Sequence, residues 1–188
     1  PLYRLYSTGL RRAIDAQRVP HHVAMMIDGN RRWARQLGYT TVSHGHRAGA
    51  AKMHEFLRWC EELGIQVVSL YLLSTDNLVK RDSQELTDLI EIIADLAETL
   101  SQEPGWRVKH VGRAEILPSD LAASLRTAEE RTRENTGLHV NLAVGYGGRG
   151  EIVDAVRSII AKHNAKGGSL AELAESLTPE QIGEHLYT

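Results

Sequence analysis

Three short segments carry side chains able to bind and polarise a phosphorylated substrate. Ile27-Asp28-Gly29-Asn30-Arg31-Arg32-Trp33 places a carboxylate, a glycine and two guanidinium groups in one run, with Arg35 close behind. Guanidinium forks match phosphate oxygens in both geometry and charge. A carboxylate among them makes sense if Asp28 holds a divalent cation and the arginines hold a diphosphate around it. The other reading has Asp28 cap the following helix and pair with Arg32, and both stand at this point. Leu73-Ser74-Thr75-Asp76-Asn77, followed by Lys80 and Arg81, adds short hydrogen-bonding groups and two more cations. Between the two lies His44-Gly45-His46-Arg47-Ala48-Gly49, where His46 reads as a phosphate-facing donor ahead of a helix.

Other chemistries lack parts. His21, His22, His44 and His46 come without an H-E-x-x-H pattern, which argues against zinc. Gly145-Tyr146-Gly147-Gly148-Arg149-Gly150 matches G-x-G-x-x-G, but it falls late and leaves no room for a further strand with an acidic ribose ligand. It reads better as a phosphate-proximal turn packing a helix onto a sheet. No P-loop and no G-x-S-x-G elbow is present. An aspartyl phosphatase would want a second carboxylate where Asn30 stands.

The elements that must position these groups alternate in period. Apolar runs at His22–Ile27, Gln66–Leu73, Trp106–Val111 and Leu138–Val144 predict buried strands. Amphipathic stretches at Ala50–Leu63, Leu86–Leu100, Pro118–Arg133 and Glu151–His163 predict helices between them. Such alternation implies an α/β fold: one domain over 1–188, with a mostly parallel central sheet flanked by helices. In that architecture ligands sit beyond the carboxyl ends of the strands, where the Asp28 and Ser74–Asn77 segments fall. Leu2–Gln17 predicts a small basic amphipathic helix, which either packs on the domain or lies on a membrane surface. A last capped helix is expected from Thr178, after which the chain stops early for the fold it began.

Twenty-two Lys and Arg against 24 Asp and Glu leave a net charge of −2, so nothing global calls for nucleic acid. The single cysteine, Cys60, excludes an internal disulfide and falls in an apolar stripe that predicts core. With no apolar leader, it suits a cytoplasmic chain.

Read together, His22-Val23-Ala24, the run Met26 to Ala34, Gly45-His46-Arg47-Ala48-Gly49, Leu70 to Asn77, and Asn141 with Gly145 to Arg149 resemble the cis-prenyltransferases. These are the undecaprenyl diphosphate synthase family, and the likeness is nearest to the short-chain Z-farnesyl diphosphate synthases of mycobacteria. The resemblance implies Mg²⁺-dependent condensation of isopentenyl diphosphate with an allylic diphosphate, and a homodimer. By position, it implies Asp28 as the essential carboxylate and Mg²⁺ ligand. Gly29, Asn30, Arg31, Arg32 and Trp33 would form the allylic diphosphate loop, helped by His46. Asn77 would assist loss of the isopentenyl proton, with Ser74, Thr75, Asp76, Leu78 and Lys80 binding substrate around it.

The chain departs from the family pattern in places. Asp76 replaces a usual Glu, Leu78 a frequent Trp, and Lys80 or Arg81 must supply the charge of N-W-x-R. Thr41 and Val42 stand where an arginine is common. The family's C-terminal R-T-[SG]-G-E-x-R-x-S segment is absent, so weak turnover is expected of these 188 residues. Leu72 stands where long-chain relatives place a small residue. In a strand lining a product tunnel it would block elongation and favour a fifteen-carbon product; the plainer reading is ordinary core. The alternative function is a non-catalytic scaffold subunit, a class that typically loses the Asp-Gly-Asn motif kept here.

Overall fold

The structure, a computed structural model, describes residues 13–81 and 83–187 together with Tyr6, Gly9 and Leu10. Half of the basic helix expected over Leu2–Gln17 therefore lies outside the described residues, and its expected last turn is instead an extended Asp15 capping a short 3-10 helix at Ala16–Arg18. The four apolar runs form β1 (His22–Met26), β2 (Val67–Ser74), β3 (Arg107–Val111) and β4 (His139–Tyr146). All neighbouring pairs are parallel, in the order β1-β2-β4-β3. Parallel strands need crossover connections, and here helices supply them. Both polar segments consequently reach one rim of the sheet.

From that rim the chain returns through α1 (Asn30–Gln36) and α2 (Ser43–Glu62), which follow β1. After β2 come α3 (Thr75–Lys80) and α4 (Ser83–Ser101); α5 (Ser119–Thr132) precedes β4, and α6 (Gly148–Ala165) follows it. Two short helices, α7 (Leu170–Ser176) and α8 (Pro179–Gly183), pack on α6. Each starts with a reciprocal capping box, Ser169 with Glu172 and Thr178 with Gln181.

The main core lies on one face of the sheet. Val68, Leu70, Val108, Val140 and Leu142 point into it, met by Leu57 and Cys60 of α2, Ile93 and Leu100 of α4, and Leu121 and Leu125 of α5. Burying each such leucine or valine contributes about 1.5–3 kcal/mol. The opposite face differs from the two-sided burial that the apolar runs suggest. Register puts His22, Ala24 and Met26 on it beside Ser69, Tyr71 and Asn141. Met26 is 76% exposed, while Ser69 is buried between His22 Nε2 at 2.9 Å and Asn141 Nδ2 at 3.1 Å. The apolar run of β2 thus hides a polar alternation, at Ser69 and Tyr71.

Helix α2 begins at Ser43 rather than Ala50, so His46 sits inside its first turns and not ahead of it. Tertiary packing explains the two glycines that make this stretch look like a loop. A Cβ at Gly45 would overlap the Asn30 carbonyl oxygen, and one at Gly49 would lie 2.6 Å from Asn30 Oδ1. Glycine at both positions lets α1 dock against α2 through Asn30.

Candidate active site

At the rim, β1 ends and the chain turns sharply through Gly29, whose φ of 94° lies in the left-handed region that favours glycine. Gly29 is the N-cap of α1, and no side chain caps that helix. Asp28 Oδ1 accepts the Gly29 N–H at 2.7 Å and, among the described residues, pairs with no arginine. The capping and Arg32-pairing reading of Asp28 is therefore not the arrangement found. Its exposed carboxylate faces open space.

That space is a cleft of about 580 Å³ lined by Asp28, Gly29, Asn30, Arg31, Arg32, Arg35, His46 and Arg81. A second cleft, of about 310 Å³, shares Asp28 and Arg81 and adds Leu72, Ser74, Asn77 and Tyr146. Asp28 and Arg81 thus stand between two adjoining clefts, one rich in arginine and one lined by β2, α3 and β4. Where they meet, a narrow pocket of about 40 Å³ runs inward between α2 and α4, lined by Asn30, His46, Ala50, Leu72, Arg81 and Ile92. Beyond it, Ala50, Ile92 and Leu96 also line an open groove of about 250 Å³. Leu72 faces both the second cleft and the narrow pocket.

The structure separates the remaining sequence-derived residues. Ser74 caps α3, its Oγ accepting the Asn77 N–H at 3.2 Å, which orients Asn77 at the cleft. Thr75 packs against Gly147, where a Cβ would come within 2.8 Å of its Oγ1, so the glycine-rich turn is a close helix-to-sheet contact. Leu78 packs against the core. Trp33 is exposed and stacks on Tyr39 at 6.0 Å, which stacks on His44 at 4.6 Å. Asp76 and Lys80 pair with each other at 2.7 Å in solvent, and neither lines a cleft. The Lys80 hydrogen bond, first, holds the Asp76 carboxyl below its ordinary value. Of Lys80 and Arg81, only Arg81 faces the clefts.

Sequence reasoning passed over Glu85. It lies in the first turn of α4 with its side chain 9% exposed, and it accepts from Arg31 at 3.1 Å, from Arg81, and from His46 Nε2 at 3.2 Å. Burial, the largest influence, pushes the His46 pKa down; the Glu85 hydrogen bond opposes it, and Arg81 adds to the lowering. His46 is therefore neutral near pH 7, with Nε2–H donating to Glu85. Arg81 Nε is buried and, among the described residues, has no hydrogen-bond partner.

Could these residues hold a metal? Among the described residues no three His, Cys, Asp or Glu side chains gather to cage one. A lone exposed carboxylate beside an arginine-lined cleft suits Mg²⁺, which keeps several waters and binds through one or two carboxylates plus substrate phosphates.

A parallel α/β sheet with an arginine-rich rim suits a protein that binds phosphorylated ligands, and the chain belongs to the undecaprenyl diphosphate synthase family of prenyltransferases, which are transferases. That family's model matches residues 26–188. Within the family, a (2Z,6E)-farnesyl diphosphate synthase of Mycobacterium tuberculosis is 50% identical over an alignment covering 100% of this chain and 72% of that protein. A short-chain Z-isoprenyl diphosphate synthase of Mycobacterium leprae is also 50% identical, with the same coverage. Among solved structures, lavandulyl diphosphate synthase from Lavandula x intermedia, in complex with dimethylallyl diphosphate, superposes with a TM-score of 0.80. It is 30% identical, over 90% of this chain and 71% of that one.

Proposed function

We propose that the chain condenses isopentenyl diphosphate with an allylic diphosphate, geranyl diphosphate for preference, to give Z-farnesyl diphosphate and diphosphate. The observation that carries this reading is the pair of clefts meeting at Asp28 and Arg81 and opening on one narrow apolar pocket.

In this arrangement the allylic diphosphate lies in the arginine-lined cleft, held by Arg31, Arg32, Arg35 and the N–H groups after Gly29, with its tail in the pocket beside Leu72. Isopentenyl diphosphate occupies the second cleft, against Ser74, Asn77 and Arg81. The allylic C–O bond breaks, and charge develops on the leaving diphosphate where the guanidinium groups stand ready. Mg²⁺ held by Asp28 would supply further charge neutralisation for that leaving group. The isopentenyl double bond then forms the new carbon–carbon bond, and a proton leaves its C2. The Asn77 amide is no base at pH 7, so Asn77 orients the substrate, and the proton passes to water or a diphosphate oxygen. Elongation stops early because Leu72 and Ile92 narrow the passage that a lengthening tail must enter.

On the same reading the chain works as a cytoplasmic homodimer and touches a membrane at most peripherally. Among the described residues no helix is long and apolar enough to cross one. Weak or no turnover is expected of these 188 residues, because among the described residues Arg81 is the one cation lining the isopentenyl cleft.

The test is to incubate the purified chain with labelled isopentenyl diphosphate and geranyl diphosphate, with Mg²⁺ or EDTA, and size the extracted product. A fifteen-carbon product that disappears in EDTA supports the reading. A chain that binds neither geranyl diphosphate nor pyrophosphate would overturn it.

A further inference from the structure

The most heavily charged cluster of the rim is built around a residue to which the family motifs assign no part. Glu85 reaches the rim from α4, an element that contributes apolar side chains everywhere else along the pocket: Leu89, Ile92, Ile93 and Leu96. Its carboxylate is almost buried and meets three donors, Arg31 from α1, His46 from α2, and Arg81 just past α3. Arg81 Nη1 also stands 3.5 Å from His46 Nε2. With His46 Nε2–H and Arg81 Nη1–H both acting as donors, what holds them this close is the shared Glu85 acceptor. Asn30, His46 and Arg81 each line both the polar cleft and the narrow pocket. The cluster therefore occupies the junction where the head of a prenyl diphosphate must give way to its tail.

Resting on the function proposed above, we propose that Glu85 is a positioning residue of the diphosphate site, whose carboxylate ties Arg81 and His46 together at the junction of head cleft and tail pocket. It touches no substrate. It fixes how deep the diphosphate seats, and hence how the tail enters beneath Leu72. The unpartnered, buried Nε of Arg81 agrees with a guanidinium held for an incoming acceptor rather than satisfied by its neighbours.

Charge alone and positioning predict opposite outcomes, which makes the proposal testable. Removing a negative charge beside an anion site should tighten anion binding on Coulombic grounds. Loss of positioning should weaken a ligand that must fit head and tail together, and spare one that has only a head. The experiment is calorimetric titration of the 188-residue chain and its Glu85→Gln and Glu85→Asp variants with geranyl diphosphate and with inorganic pyrophosphate, in Mg²⁺ buffer. For Glu85→Gln, geranyl diphosphate affinity is expected to fall about tenfold, the scale of one charge-assisted hydrogen bond. Pyrophosphate affinity should stay level or rise, and Glu85→Asp should recover part of the loss.

Equal or tighter binding of both ligands by Glu85→Gln would overturn the proposal and leave Glu85 a mere counter-ion. A wild-type chain that binds neither ligand would instead remove the functional reading beneath it. Should the variants not fold, the wild-type chain decides by nitrogen-resolved NMR of the His46 ring and Arg81 Nε–H. A His46–Glu85 hydrogen bond that persists when geranyl diphosphate binds supports positioning, and one that breaks refutes it.

Discussion

The ends of β1 and β2 read alike in sequence, each an apolar strand running into an acid, an asparagine and basic residues, yet the structure uses them differently. After β1, Asp28 has no charged partner among the described residues, and Arg31, Arg32 and Arg35 line the cleft it faces. After β2, Asp76 and Lys80 neutralise each other out in solvent, and the inward work passes to Ser74, Asn77 and Arg81. Helical phase decides the second case: positions 76 and 80 of α3 share an outer face, while Asn77 lies on the next one and Arg81, the C-cap, donates its N–H to the Asn77 carbonyl. At the first strand end, the left-handed turn at Gly29 lifts Asp28 clear of the helix it precedes. The unpaired carboxylate is the one that faces a cleft, while the acid and base paired with each other face solvent.

The comparison can be broken first at Asp28. Asp28→Asn keeps the shape and removes the charge, and prenyl transfer should fall by about 10²–10³-fold with little change in thermal midpoint. Retained activity would mean that the unpaired carboxylate is incidental. Next comes Leu72, the contribution of β2 to the tail pocket. Leu72→Ala should shift products beyond fifteen carbons, read by chromatography of the extracted prenyl alcohols, and an unchanged distribution would make Leu72 ordinary core. Because Leu72 is only part-buried, the accompanying destabilisation should sit near the low end of the usual 2–5 kcal/mol.

A smaller effect is expected from His46, whose folded-state pKa is lowered, chiefly by burial. The unfolded chain binds that proton more readily, so the stability from a neutral His46 is complete above its ordinary value of 6.5 and declines as pH falls below it. Thermal midpoints measured across that range should drop toward acid, and more shallowly in His46→Gln. An identical slope in the variant would place the titration elsewhere. Least of all should change on replacing Lys80 by Ala. An exposed ion pair contributes little, so the thermal midpoint should be indistinguishable from wild type. A clear drop would show that the outer face of α3 bears more than the solvated pair.

Much of this was legible beforehand, and the failures have physical causes. The strands declared themselves through apolar runs, because burial on the core face leaves little choice of residue. The polar face of β2 stayed hidden because Ser69 is a single small residue satisfied by partners on β1 and β4, known only once register is known. The helix start at Ser43 stayed hidden because Gly45 and Gly49 are explained only by Asn30 of α1, whose backbone carbonyl packs on the first and whose side chain packs on the second. Glu85 looked like any acid in a first helical turn, where a negative charge suits the helix dipole. Nothing local says that three basic groups from other elements converge on it. Helix α7 was missed with its signal in plain view, since Ser169 and Glu172 spell a capping box.

The strand order also bears on how the molecule assembles in time. β3 and β4 pair His139 with Arg107, β1 and β2 pair Val67 with His22, and β2 joins β4 only by matching Val67 with His139. Loop closure over longer stretches is entropically costlier and slows folding. The sheet should therefore nucleate as two halves, β3 with β4 and β1 with β2. The arginine-lined cleft lies wholly within the β1–β2 half, whereas the second cleft, whose walls draw on Asp28 from one half and Tyr146 from the other, comes into being only at the final docking step.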